Sequence, residues 1–264
     1  MTWLAGYALA GALIGFVAGM LGVGGGMMLV PFMVALFGAQ GFIAGHLVHL
    51  ALGTAMASIV FTSGASVREH HKLGAVDWGI VKRMTPGMIT GTLLATAASG
   101  LVPQRELALV FAVIVVGASI QMFFGKKPKA ERTLPGPLPL FCVGAVIGVI
   151  AGLVSAGGAF VAMPFMMFCG VRPIVAIGTA AALSVPVAVM GTVGYAIAGW
   201  SVEGLPPYSI GFIYLPALAA IVCTSVITAP FGARLAHRLP VQVLKRCFAV
   251  LLLLLAARML YSFW

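Results

Sequence analysis

Two glycine-rich breaks interrupt apolar stretches that are otherwise long enough to cross a membrane, and the two resemble each other. The first runs Gly19-Met-Leu-Gly22-Val-Gly24-Gly25-Gly26 and continues to Val30-Pro31-Phe32-Met33. The second runs Gly152-Leu-Val-Ser155-Ala-Gly157-Gly158-Ala159 and continues to Met163-Pro164-Phe165-Met166. Clustered glycines followed by proline are incompatible with a straight, stable helix. Backbone groups freed at membrane depth are tolerated only where protein or a wet cavity satisfies them. Paired interruptions at matching places in two halves are the best sequence pointer to a transporter's binding site.

Composition supports the membrane reading. Of 264 residues, 62% are hydrophobic and 8% charged, and the mean hydropathy is +1.15. A soluble domain carries about 25% charged residues. The apolar runs spread along the whole chain, so the first is expected to be retained rather than cleaved as a signal peptide. The net charge of +10 would suggest nucleic acid in a soluble protein. Here the basic residues cluster in short loops between apolar runs, as the positive-inside rule predicts, and no nucleic-acid partner is expected. Cys142, Cys169, Cys223 and Cys247 are isolated from one another and read as buried packing residues.

A membrane helix needs about 20 mostly apolar residues. The runs are 3–37, 42–66, 78–101 and 107–124, then 138–169, 174–200, 208–231 and 241–264. Each half therefore has a long, broken first segment followed by three ordinary ones. This predicts an all-α integral membrane protein with a first repeat at 1–125, a basic cytoplasmic linker at 126–137 and a second repeat at 138–264. Ala51-Leu-Gly53-Thr54-Ala55 parallels Ala176-Ile-Gly178-Thr179-Ala180, and Phe111-Ala-Val113 parallels Phe248-Ala-Val250.

Loop charge bears on orientation. Arg68, His70, His71, Lys72, Lys82 and Arg83 surround the loop after the second run, whereas the next loop holds only the balanced pair Arg105 and Glu106. In the second half the order reverses: residues 201–207 contain no Lys or Arg, and Arg234, His237, Arg238, Lys245 and Arg246 follow the third run. Equivalent loops then lie on opposite sides of the membrane, the mark of an inverted-topology repeat. Inversion requires an odd number of crossings between 138 and 200. A re-entrant hairpin over 138–169, with two arms of about 22 Å each, meets that requirement. Two short, tightly packed spans are the alternative. With the linker cytoplasmic, both chain ends lie outside the cytoplasm.

The break Gly22-Val-Gly24-Gly25-Gly26 is no dinucleotide fingerprint, because Met27 stands where a final glycine is needed. It reads either as close helix packing or as a ligand site, where half-helix N-termini present N–H groups to an anion. The candidate binding residues are Gly22, Gly24, Gly25, Gly26, Ser155, Gly157 and Gly158. Gly53-Thr54 and Gly178-Thr179 open the spans after the breaks; their hydroxyls either face an oxyanion or bond back to the preceding turn. Ser58 and Ser184 are weaker candidates of the same kind. His46 and His49 share a helix face and either contact substrate, shuttle a proton or sit hydrogen-bonded at the interface. Glu69, Asp77, Glu106, Glu131 and Glu203 all fall in loops or at run ends, so the usual carboxylate proton relay is missing. No catalytic set, metal-ligand set or cofactor motif is evident, and an enzyme is not expected.

The duplicated G-x-G-G-G…V-P break, the segment His49-Leu-Ala-Leu-Gly-Thr54 and the loop Arg68-Glu-His-His-Lys-Leu-Gly-Ala-Val-Asp-Trp78 together resemble the sulfite exporter TauE/SafE family, also called the 4-toluenesulfonate uptake permease family. The resemblance covers essentially the whole chain. Ser155 and Ala159 depart from its glycine pattern in the second half. It implies transport of sulfite, sulfonates such as sulfoacetate, or related anions across a bacterial inner membrane. The expected partners are a small anionic substrate and membrane lipid, with a homo-oligomer compatible. An anion-selective channel, or a carrier for another small anion, is the competing function.

Overall fold

The computed structural model describes residues 2–21, 25–42, 44–124, 134–236, 246 and 249–257. Among them the first half forms α1 (Thr2–Leu21), α2 (Gly26–Ala39), α3 (Leu47–Lys72), α4 (Trp78–Ala98) and α5 (Gln104–Phe124). The second forms α6 (Pro137–Val154), α7 (Ala159–Phe168), α8 (Pro173–Ala198) and α9 (Leu215–Ala236), and residues 249–257 are helical. This is an all-α membrane protein. Among the described residues six helices (α1, α3, α5, α6, α8 and α9) are long and apolar enough to cross a bilayer. Leu9, Leu13, Leu94, Val113, Leu138 and Ile227 are exposed on the outer faces, where hydrocarbon is their natural solvent. Most of linker 126–137 and the basic residues His237, Arg238 and Lys245 lie outside the described residues.

Both predicted breaks are present, between α1 and α2 and between α6 and α7. The first segment doubles back on itself. The Gln40 side chain, just past α2, donates a hydrogen bond to the Tyr7 hydroxyl near the start of α1. The Tyr7 and Phe37 rings meet edge-on, their centroids 6.1 Å apart. The arms are not the equal pair expected from length. The 20 residues of α1 span about 30 Å and the 14 of α2 about 21 Å. In the second segment, 18 residues of α6 give about 27 Å and 10 of α7 about 15 Å. The short arm ends where Gly170, with φ +82°, turns the chain ahead of Pro173. A further departure is the run 208–231. Its first residues form an antiparallel pair, Ser209–Ile210 with Ile213–Tyr214, and α9 starts only at Leu215. Pro216 explains the start, since its missing N–H has no partner to lose in a first turn.

The closest helix pairs are α1 with α9 and α4 with α6, each joining one half to the other. Small residues make the approach possible. Gly11, Gly15 and Gly19 of α1 lie on the α9 backbone at Ile221, Ser225 and Ala229. Gly144 and Gly148 of α6 lie on α4 at Met84 and Met88 in the same manner, and Thr92 donates to the Gly148 carbonyl at 2.9 Å. Between these pairs stand α3 and α8, packed on each other and the most buried of the candidate spans. Around them the arrangement repeats: α3 meets α2 and α9, while α8 meets α7 and α4. The two long helices run in opposite directions. Gly53, early in α3, touches Phe212 in the loop after α8, and Gly178, early in α8, touches Ala75 in the loop after α3. Of the cysteines, Cys169 is buried as expected, but Cys142 and Cys223 sit on exposed faces of α6 and α9; Cys247 lies outside the described residues.

Candidate functional site

The two breaks meet in the buried centre of the protein. Gly26, the first residue of α2, is packed so closely on the Ser155 carbonyl that a β-carbon there would overlap it. The two breaks have matching backbones. Gly25 (φ +76°) precedes α2 and Gly158 (φ +77°) precedes α7, both in the left-handed region that glycine adopts without strain. Their surroundings match too: Gly25 faces Ile14 and Ala18 of α1, and Gly158 faces Ile147 and Ala151 of α6. Gly157 is also left-handed, at φ +62°.

Ser155 is the exception, a left-handed residue with a side chain, at φ +48°. Its hydroxyl donates to the Leu52 carbonyl of α3 at 2.8 Å, which ties the second break to the first half. Ser184 of α8 donates to the carbonyls of Gly157 (3.1 Å) and Ala180 (2.9 Å). The buried Tyr195 hydroxyl donates to the Gly152 carbonyl at 2.9 Å. The first half has a counterpart to this last bond, His70 Nε2 lying 3.3 Å from the Gly19 carbonyl. The breaks are thus held open by side chains bonded to exposed carbonyls. Only the first two N–H groups of α2 and of α7 have no intrahelical partner, because Met28 and Val161 already donate to the Gly25 and Gly158 carbonyls at 3.1 and 3.2 Å. Both helices begin at buried residues, Gly26 and Ala159, so their positive dipole ends lie inside the protein. Gly22 and Gly24 lie outside the described residues.

The other predicted residues are not at this junction. Thr54 and Thr179 are fully buried, and each oxygen accepts a backbone N–H from the other half. Tyr214 N–H donates to Thr54 Oγ1 and Asp77 N–H to Thr179 Oγ1, both at 2.9 Å. Gly53 and Gly178 supply the close approach for the same two loops, so each Gly-Thr pair forms a clasp. His49 is buried at the start of α3, about 15 Å along the helix from Ile59, the residue that touches Gly26. Its Nε2 lies 3.1 Å from the carbonyls of both Ser99 and Val102, so this nitrogen carries the proton and donates. Its ring packs against Phe212 at 4.9 Å. His46, beside it, faces the same aromatic at 5.9 Å. No group of three or more His, Cys, Asp or Glu residues suited to a metal occurs among the described residues.

Sequence reasoning missed several polar residues of the interior. Thr62 of α3 and Ser225 of α9 share a buried hydrogen bond of 2.9 Å. Near the far end of α3, Arg234 Nε donates to Glu69 Oε1 at 2.7 Å, with Lys72 Nζ 3.8 Å from the other oxygen. Tyr195, Ser63 and Ser66 are buried as well. The serines' signal was the polar series 58, 62, 63, 66 and 69 within one apolar run.

The sequence model of the family described as "Sulfite exporter TauE/SafE" matches residues 7–259 of this chain. The chain belongs to that family. Membership makes it a multi-pass membrane transporter, in keeping with its spans and lipid-suited exterior. It is similar to a "Probable membrane transporter protein" of Haemophilus influenzae, 34% identical over 95% of this chain and 96% of the relative. It is also similar to "Probable membrane transporter protein YdhB" of Bacillus subtilis (24% identical, 88% and 90% covered). A third relative, "Probable membrane transporter protein MJ0441" of Methanocaldococcus jannaschii, is 23% identical with 88% and 85% covered. No solved structure matches the chain.

Proposed function

We propose that this protein is a secondary transporter, of the exporting kind, for small sulfur-containing anions such as sulfite and sulfonates like sulfoacetate. The observation that carries the reading is the buried contact of Gly26, the first residue of α2, with Ser155, the residue that closes α6 four positions before α7 begins, so that the start of one half-helix lies against the break from which the other starts. Such ends attract an anion through N–H groups and dipole without a buried cation. The family's description supplies the chemical class. Gly25, Gly26, Ser155, Gly157 and Gly158, with Gly22 and Gly24 just before them in the sequence, form the anion's cradle.

The two halves, 1–125 and 138–264, act as inverted repeats joined by the basic linker. The opposed directions of α3 and α8, and the loop charges, support this. The basic loops then face the cytoplasm of a bacterial inner membrane. Transport proceeds by alternating access around the cradle. The enclosed site favours a carrier over a static pore. Purified protein in proteoliposomes, assayed with radiolabelled sulfite, sulfoacetate and sulfate, tests the assignment. Saturable flux and counterflow are expected; transport of no sulfur oxyanion overturns the substrate, and non-saturating flux favours a channel.

A further inference from the structure

We propose that Ser63 and Ser66 of α3 are substrate-contacting residues that make the anion site one-sided, its hydroxyl donors supplied by the first half alone. The inference rests on the transporter reading above and deepens it. Residues 59, 63, 66 and 70 fall within one narrow arc of a helix. Both ends of that arc are fixed against the first break: Ile59 touches Gly26, and His70 Nε2 reaches the Gly19 carbonyl at 3.3 Å. Ser63 and Ser66 lie between them, on the same face, about 6 and 10 Å along the helix from Ile59.

Both serines are 2% exposed, and neither hydroxyl has a hydrogen-bond partner among the described residues. Their neighbours on α3 behave differently. Ser58 donates to the Ala55 carbonyl at 2.7 Å, and Thr62 donates to the Ser58 carbonyl at 3.0 Å. A buried hydroxyl ordinarily bonds back in this way or carries a desolvation cost of about 1–3 kcal/mol. Two orphans on a helix face that touches the first break above and below them are donors held for a ligand.

The second half lacks them. When Gly53-Thr54 is set on Gly178-Thr179, Ile59 matches Ser184 and His70 matches Tyr195, and each pair contacts its own break. The places of Ser63 and Ser66 are then taken by Ala188 and Gly191. At Gly191 the space is filled: a β-carbon there would meet Met56 Cε at 2.6 Å. The residue matching Met56 is Ala181, whose single methyl fills far less of the corresponding space. The first half therefore offers two hydroxyls where the second offers only Ala188 and a Gly191 packed on Met56. A tetrahedral or pyramidal oxyanion that accepts several hydrogen bonds fits the first side.

The test is the double variant Ser63→Ala/Ser66→Ala in proteoliposomes. Hydrogen bonds to a charged group are strong enough that losing both is expected to raise KM for sulfite or sulfoacetate about tenfold or more. The maximal rate should stay within about twofold and the melting temperature should not fall, because neither hydroxyl bonds any described residue. Unchanged KM overturns the proposal while leaving the transporter reading intact. If the wild-type protein carries no sulfur oxyanion, that reading falls and a substrate-independent measurement decides for the serines. In a background with the four native cysteines replaced, Ser66→Cys is treated with an anionic and a cationic methanethiosulfonate reagent. Faster modification by the anionic reagent supports an anion-attracting site at this face. Equal rates, or no reaction, overturn it.

Discussion

Replacing Thr54 or Thr179 by valine separates a structural clasp from a substrate wall. Each threonine is fully buried, and its oxygen accepts one backbone N–H at 2.9 Å from a loop of the other half. Valine keeps the shape and removes the acceptor, leaving the Tyr214 or Asp77 N–H of a part-buried bond without its partner. That loss costs about 1–3 kcal/mol at each site. The two clasps share no residue, so the double variant should lose about 2–6 kcal/mol. A chain of this size shifts in melting temperature by about 2–4 °C per kcal/mol. Thr→Ser keeps the oxygen and should recover most of the loss. The measurement is a melting curve in detergent beside KM in proteoliposomes. A Thr179→Val protein with unchanged melting and a sharply raised KM would refute the clasp and return the threonines to the substrate.

Gly26→Ala should abolish transport and lower yield, because a β-carbon overlaps the Ser155 carbonyl and overpacking of this kind costs about 1–3 kcal/mol or more. Gly38→Ala, where nothing lies within 4 Å, is the matched control, expected to gain up to about 1 kcal/mol in melting experiments. His49→Phe removes the donor to the Ser99 and Val102 carbonyls and should cost about 1–3 kcal/mol with little change in KM; a raised KM at unchanged stability would assign His49 to the substrate. Glu69→Arg or Arg234→Glu should each alter transport rate by breaking the tie between α3 and α9, and the charge-swapped double variant should restore it, as measured by initial uptake.

The membrane class and the positions of both breaks were readable because glycine, proline and hydropathy act locally. Clustered glycines declare a helix failure where they stand, and Gly25 and Gly158 bear it out with left-handed backbones. The unequal arms were not readable, since α7 stops early for the sake of the turn at Gly170 ahead of Pro173. Nor was the small antiparallel pair at 209–214, whose partner is a threonine far away in the chain. The threonines and His49 show the limit most plainly. An apolar run marks a polar side chain as unusual but does not say what it bonds, and here the partners are backbone groups of distant loops. Ser63 and Ser66 are illegible in the sequence for the converse reason. A serine in a membrane helix ordinarily bonds back to its own turn, and only the packed structure reveals that these two do not.

The reciprocal clasps also govern how such a chain can be made. Thr54 emerges from the ribosome 160 residues before Tyr214, and α1 is complete long before α9, the helix its glycine face requires. Until then that face can meet only lipid, which fills the groove poorly. The early helices must therefore wait in the bilayer, inserted but unassembled, for the second half to arrive. Cutting the chain at the linker need not prevent assembly, provided both pieces reach the same membrane. Neither piece made alone would find the surface on which it folds.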